Sequence, residues 1–269
     1  MKTNIFVLCG GKSVEHEVSL TSAMAIINAI DKDKYNVYPI FISKDGVWCN
    51  HGLLEKQILS PDELKLETNS TIAESVVDFL TNYLKKDEKN LVFPALHGPN
   101  GEDGTIQGLL EILDIPYVGN EVLSSAVGMD KVMMKDIFAK YNIPQAKYTY
   151  LWLHNWKDER DKSIEDIENS IGYPCFVKPS KGGSSVGVNR AENRDELIKA
   201  IDTAFLYDVK VVVEEEIIGR EMQISVVGND YPQASVVGEF IMEKRFMDYN
   251  AKYLDGKLIP VIPARLTKS

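Results

Sequence analysis

The stretch YPCFVKPSKGGSSVGV, Tyr173 to Val188, decides how the chain is read. Pro174-Cys175-Phe176-Val177 is a short apolar run of strand character that delivers Lys178 just where the pattern turns polar. Pro179-Ser180-Lys181-Gly182-Gly183-Ser184-Ser185 then breaks the run, so a lysine at a strand end faces a hydroxyl-rich loop. Adjacent glycines let backbone N–H groups turn toward an anion without Cβ interference, and Ser184 and Ser185 add hydroxyl donors. That combination suits phosphate. The plainer reading is a hairpin tip that carries a lysine, since Gly and Ser are common turn residues. Neither GxxxxGK[ST] nor GxGxxG occurs here, and Val186-Gly187-Val188 reads as a second strand. The expected anion therefore lies under a hairpin and not on a helix dipole.

Toward the N-terminus, Asn4 to Cys9 is a buried-strand candidate that ends in Gly10-Gly11-Lys12-Ser13 and is followed by a helix with Leu20, Met24 and Ile27 on one face. Phe6 stands where a Walker loop needs its first glycine, so the turn reads as the carboxyl end of a parallel strand, where open α/β sheets bind ligands. Glu17, near the helix start, is expected to look into that crevice. Tyr35 to Ser43 and Leu91 to Leu96 are further strands, with helical material from Ile72 to Leu84 between them, and this alternation predicts a parallel sheet. His97-Gly98-Pro99-Asn100-Gly101-Glu102-Asp103-Gly104 follows the second of them, ahead of a helix from Thr105 to Leu113. A histidine after a strand is more often a capping or packed residue than a catalytic one. His97 nonetheless sits, like Glu17, at a strand's carboxyl end, and two such ends make one crevice. Pro116 to Asn120 reads as a short strand, and Met129 as the start of a helix to about Tyr141. Lys131 and Lys135 share a face of that helix, ordinarily the mark of a solvated charged stripe.

Toward the C-terminus, Asp195 to Tyr207 is an amphipathic helix with Leu197, Ala200, Ile201 and Ala204 in register. Val209 to Val213 is a strand that runs into Glu214-Glu215-Glu216, and antiparallel strands are predicted over Met222 to Val227 and Ala234 to Ile241. Phe246 to Pro263 reads as a long loop or lid around Lys252-Tyr253.

Composition bounds the function. With 269 residues, 44% of them hydrophobic, the chain is long enough for more than one core, and two or three modules are expected. A net charge of -10 spread along the chain argues against nucleic acid as a partner. Cys9, Cys49 and Cys175 are widely spaced, without a CxxC, which points to a reducing compartment; with no signal segment and no long apolar run, a cytoplasmic protein that does not enter a membrane is expected.

Taken in order, these pieces resemble the D-alanine–D-alanine ligase family of the ATP-grasp superfamily. The matching stretches are Gly10-Gly11 with Glu17-Val18-Ser19-Leu20, and His97-Gly98 with Gly101-Glu102-Asp103-Gly104 and Gln107-Gly108. Then come Met129-Asp130-Lys131 with Lys135, Val177-Lys178-Pro179 with Gly183-Ser184-Ser185-Val186-Gly187, Glu214 with Gly219 and Glu221, and Ala251-Lys252-Tyr253. Six stretches in family order make the resemblance specific. It implies an α/β and α+β chain, with a Rossmann-like N-terminal substrate domain over 1–120 and an ATP-grasp fold in two parts, 121–213 and an incomplete 214–269.

The implied reaction is ATP-dependent ligation of two D-alanines through an acyl phosphate, for peptidoglycan precursors, with ATP and Mg²⁺ (or Mn²⁺) as cofactors and a homodimer as the assembly. By the resemblance, Lys135 and Lys178 neutralise phosphate charge, Gly183 to Ser185 cover the phosphates, and Ser184 also joins the substrate side. The run Glu214, Glu215 to Ile217 lies along the adenine edge, and Glu221 accepts from the ribose. Glu17 pairs with the first D-alanine's ammonium, His97 sits beside the substrates, and Lys252 and Tyr253 close the site. Tyr253 marks dipeptide makers, where makers of D-alanyl-D-lactate usually carry phenylalanine. The family's metal carboxylates, an Asp and a Glu-x-Asn, have no counterpart before Ser269. The resemblance thus implies no metal ligand in this sequence, a truncated ligase and impaired turnover. The alternatives are an ATP-grasp ligase for another acid and acceptor, a nucleotide-binding module without turnover, and a Rossmann oxidoreductase, which would lack its GxGxxG.

Overall fold

The computed structural model describes residues 2–85, 87–241 and 259–266. The chain forms two compact units, Met1–Gln145 with Ser180–Gly183, and Ala146–Pro179 with Ser184–Ser269.

The first unit runs β1 (Thr3–Gly10), α1 (His16–Ala29), β2 (Tyr35–Ile42), β3 (Trp48–Asn50), α2 (Ile72–Asp78), β4 (Asn90–Pro94), α3 (Thr105–Ile112), α4 (Val122–Met129) and α5 (Lys131–Lys140). Its sheet has the order β3-β2-β1-β4; β1 is parallel to β2 and β4, and only the edge strand β3 is antiparallel. Side chains alternate across a strand. Ile5, Val7 and Cys9 accordingly pack with Leu20, Ala23 and Ile27 of α1, while Phe6 and Leu8 pack on the other face with Phe79, Ile106 and Leu110. Covering both faces is what allows a parallel sheet its continuous apolar strands. The predicted strand at Pro116 to Asn120 is a single parallel bridge, Tyr117 to Val92.

The predicted helix start at Met129 proves to be a junction. α4 ends at Met129, and Asp130 caps α5 by accepting hydrogen bonds from the Val132 and Met133 amides at 3.1 and 3.2 Å. A carboxylate at this position satisfies helix N–H groups that have no partner within the helix.

The second unit runs β5 (Tyr148–Trp152), α6 (Leu153–Asp158), α7 (Arg160–Ser170), β6 (Cys175–Pro179), β7 (Asn189–Ala191), α8 (Arg194–Ala204), β8 (Lys210–Glu215), β9 (Glu221–Gln223), β10 (Val226–Val227), β11 (Gln233–Ala234), β12 (Gly238–Ile241) and β13 (Ile259–Val261). β5-β8-β6-β7 form an antiparallel sheet. Cys175, Val177, Val211 and Val213 lie on its core face against Ile164 and Ile167 of α7 and Leu197, Ala200, Ile201 and Ala204 of α8. That is the face predicted for α8. The antiparallel expectation further along also holds, with β12 between β9 and β13 and β10 paired to β11.

The second strand of the glycine-serine hairpin begins at Asn189 and not at Val186. Ser184 and Ser185 have φ of 49° and 59°, so the chain spends these residues on a left-handed turn before it can pair again. No helix among the described residues is long and apolar enough to cross a membrane.

Candidate functional site

In the first unit the site is built on the loops that leave β1 and β4. The Gly10 amide donates to Ser19 Oγ at 2.8 Å, and Ser19 Oγ donates to the Ala95 carbonyl at 2.6 Å, so one buried hydroxyl of α1 ties the two strand ends together. Gly10 has φ +87°, and a Cβ there would lie 2.3 Å from the Ile42 carbonyl oxygen. Only glycine fits that turn. The His16 ring, buried against Phe41, bonds the Gly11 carbonyl through Nδ1 at 2.8 Å.

Glu17 does not face this crevice. Its side chain is half exposed and pairs with Lys44 at 3.3 Å and Lys65 at 3.0 Å. Partial desolvation opposes the shift, but the hydrogen bonds from Lys65 and Lys44 win and hold its carboxyl below the ordinary range. The inner place belongs to Glu15, which is 3% exposed. A Cβ on Gly98 would come within 2.5 Å of Glu15 Oε2, and one on Gly183 within 2.9 Å of Oε1. Two positions along a helix start turn a side chain by about 200°, so Glu15 and Glu17 cannot share a face. The sequence signal for Glu15 was the pair of glycines at 98 and 183, whose missing side chains leave room for a carboxylate.

His97 follows β4. Its Nε2 lies 2.9 Å from Ser22 Oγ and its Nδ1 lies 4.0 Å from Glu102 Oε1, while Glu102 Oε2 accepts from the Gly98 amide at 2.7 Å. Asp103 braces the same loop, accepting from the Asn100 amide at 2.9 Å and the Thr105 amide at 3.0 Å. Desolvation works to raise its pKa, but these amide hydrogen bonds outweigh it and hold the carboxyl low. Ser22, His97, Glu102, Lys131 and Gly183 line a cavity of about 720 Å³, large enough for small-molecule substrates.

Lys131 is not part of a solvated stripe. Its ammonium donates to the Gly182 carbonyl at 2.8 Å and its amide to the Ser180 carbonyl at 2.9 Å. Lys135, one turn on, is 6% exposed. The first unit thus brings together Glu15, His97, Gly183 and the lysine-bearing helix α5.

In the second unit the candidate residues sit on a sheet face. Phe176 and Lys178 of β6 and Val212 and Glu214 of β8 alternate with the core residues and therefore point away from α7 and α8. Lys178 Nζ lies 2.5 Å from Glu214 Oε1 and above the Phe176 ring at 5.8 Å. Glu215 accepts from the Lys147 amide at 2.8 Å, and Glu216 is held by Arg190 through two hydrogen bonds of 2.6 and 3.0 Å. Ile217 and Glu221 are exposed. Ser184 is buried and Ser185 half-buried. Lys252 and Tyr253 lie outside the described residues.

Among the described residues, no group of three or more His, Cys, Asp or Glu side chains could hold a metal ion. Cys9, Cys49 and Cys175 are buried free thiols; burial pushes Cys9 up to about 12 and Cys175 to about 11, so neither is poised as a nucleophile.

Residues 4–120 match the family model for the D-ala D-ala ligase N-terminus, and residues 137–269 that for the D-ala D-ala ligase C-terminus. The chain is 47% identical to a D-alanine–D-alanine ligase of Bacillus cytotoxicus over 99% of this chain and 75% of the relative. It is 48% identical to one of Geobacillus kaustophilus, over 100% and 75%. Among solved structures, the D-alanine-D-alanine ligase of Coxiella burnetii matches with a TM-score of 0.72 at 34% identity, over 89% of this chain and 71% of that one. The VanG D-Ala:D-Ser ligase of Enterococcus faecalis matches with a TM-score of 0.76 at 31% identity, over 99% and 78%.

Proposed function

The chain belongs to the D-alanine–D-alanine ligase family, and from that membership we propose that it joins two D-alanines at the expense of ATP, by way of an acyl phosphate, for peptidoglycan precursor synthesis. The observation that carries this reading is the 47% identity with a relative of that name across 99% of the chain.

The residues make physical sense in those roles. Glu15, in place of Glu17, receives the ammonium of the first D-alanine, because a carboxylate withdrawn from water gives a cation a strong partner. His97, oriented by Ser22 and Glu102, hydrogen-bonds within the same cavity. Lys135 and Lys178 carry the positive charge that phosphoryl transfer requires, since that chemistry is mostly positioning and electrostatics. Glu214 holds Lys178 extended over the sheet face until phosphate competes for it. The amides of Gly183 to Ser185 cover the phosphates, with Ser184 also on the substrate side. Glu214, Glu215 and Ile217 follow the adenine edge, Glu221 meets the ribose, and Lys252 and Tyr253 exclude water.

The proposal also takes the N-terminal 1–120 as the substrate domain and 121–213 with 214–269 as the ATP-grasp parts. It places the protein in the cytoplasm as a homodimer, with no nucleic-acid or membrane partner, and with Mg²⁺ or Mn²⁺ accompanying ATP. The described residues offer no carboxylate set that fits such a metal, and no step here depends on it.

ADP release coupled to an indicator reaction tests the reading, with D-alanine alone, L-alanine, and D-alanine plus D-lactate or D-serine. D-alanine alone is expected to give the highest kcat/KM and a dipeptide product. Preference for L-alanine would overturn the substrate, and preference for D-lactate or D-serine the acceptor. Tyr253→Phe is expected to raise depsipeptide at the expense of dipeptide.

A further inference from the structure

We propose that Asp130 and Lys131 are positioning residues that lock the root of the glycine-serine loop to the helix carrying Lys135. The inference rests on the reading of that loop and of Lys135 as phosphate-binding. Ser180 is fully buried, and its hydroxyl donates to Asp130 Oδ1 at 2.7 Å. The same oxygen accepts the first amides of α5, so a single buried carboxylate caps the helix and holds the loop. Lys131 grips the loop from the other side, through its amide to the Ser180 carbonyl and its ammonium to the Gly182 carbonyl. The Gly182 amide in turn donates to Met129 Sδ at 3.3 Å.

An ordinary helix N-cap needs only the first part of this arrangement. Three consecutive residues at the α4–α5 junction instead bind alternate residues of one distant loop, through both of its main-chain polarities. Lys135 stands one helical turn beyond Lys131 on a rigid element. Its position is thereby fixed relative to Ser180–Gly183 before any nucleotide arrives. Preorganisation of this kind strengthens binding by removing the entropy of ordering the loop at the moment of association.

Ser180→Ala removes the loop's half of the carboxylate link and leaves the cap. It is expected to raise the KM for ATP about ten- to 150-fold, the range for one hydrogen bond to a charged group. The KM for D-alanine and the kcat at saturating ATP should stay within about twofold. Trypsin cleavage after Lys181 should accelerate in this variant, and ATP should suppress it. Lys131→Met should likewise raise the KM for ATP and accelerate the cleavage, and Lys131→Arg should recover most of the loss. Combined with Asp130→Asn, Ser180→Ala should have a smaller effect than alone, since the two groups share one bond.

An unchanged KM for ATP, a parallel rise in the KM for D-alanine, or additive effects with Asp130→Asn would overturn the inference. If Lys131→Met fails to fold, Ser180→Ala, which deletes one hydroxyl, still decides. Lys135→Ala is the separate control: were it to bind ATP like the unaltered protein, the phosphate reading itself would be wrong, whatever Ser180→Ala shows.

Discussion

The two units hold their proposed functional side chains in different ways. In the first, Glu15 and His97 sit on loops beyond the carboxyl ends of parallel strands, each loop braced by amides, carboxylates and one shared serine. In the second, Lys178 and Glu214 sit inside antiparallel strands, and their direction is set by alternation and register alone. A loop site tolerates variation in chain length yet depends on turn geometry. A strand site needs no special turn, but every side chain on it is placed by pairing. Disruption of the first should therefore come through the backbone, and of the second through side-chain charge.

The largest effect is expected from Lys178→Ala. It removes a cation proposed to face phosphate and should lower kcat about a hundredfold or more in the ADP-release assay. It also leaves Glu214 without this partner, at about 2 kcal/mol, between the exposed and fully buried limits for breaking an ion pair. Retention of kcat would break the charge-based account of the second unit.

Gly10→Ala tests the backbone account of the first. The left-handed φ and the 2.3 Å approach to Ile42 O together predict a loss of about 3 kcal/mol in urea unfolding. A loss below about 1 kcal/mol would show that the turn can relax.

Glu15→Gln set against Glu17→Gln sharpens the comparison within one loop. The first should raise the KM for D-alanine about tenfold or more, as expected for losing a charge-assisted contact. The second removes only a solvent-exposed pair with Lys44 and Lys65 and should change it less than about twofold. The reverse order would restore Glu17 to the site.

The smallest effect concerns Asp103. Its folded pKa is lowered, so its contribution is complete above the unfolded value near about 3.9 and is lost as pH falls through the folded value. Asp103→Asn should cost about 0.5–1 kcal/mol at pH 7 by urea unfolding, with the gap to the unaltered protein closing toward pH 2. A gap that is constant with pH would mean that the carboxylate's charge contributes nothing to the loop.

Much of this was legible in the chain itself. The apolar run Asn4 to Cys9, the glycines after it and the register of Leu197 to Ala204 carry strand, turn and helix on composition and period alone, because burial selects apolar residues at the spacing of the element. The glycine-serine stretch carries in its residue types the signal on which its proposed anion binding rests. Other features were illegible for stated reasons. Val186 to Val188 has strand composition, but Ser184 and Ser185 take a left-handed turn that no propensity for serine predicts. Asp130 looks like any helix-start aspartate, because its second bond is to a serine fifty residues away.

Residue type and order by themselves determined the family, the alternation of elements and the set of ionisable groups available for chemistry. Only the tertiary structure decided which of those groups face inward. Glu15 and Glu17 are the same residue type two positions apart, and Lys131 and Lys135 look alike as surface charges. Burial and partners depend on the direction of each Cα–Cβ bond relative to chain segments distant in sequence, and one sequence position carries no record of that direction until the sheet and its loops have assembled around it.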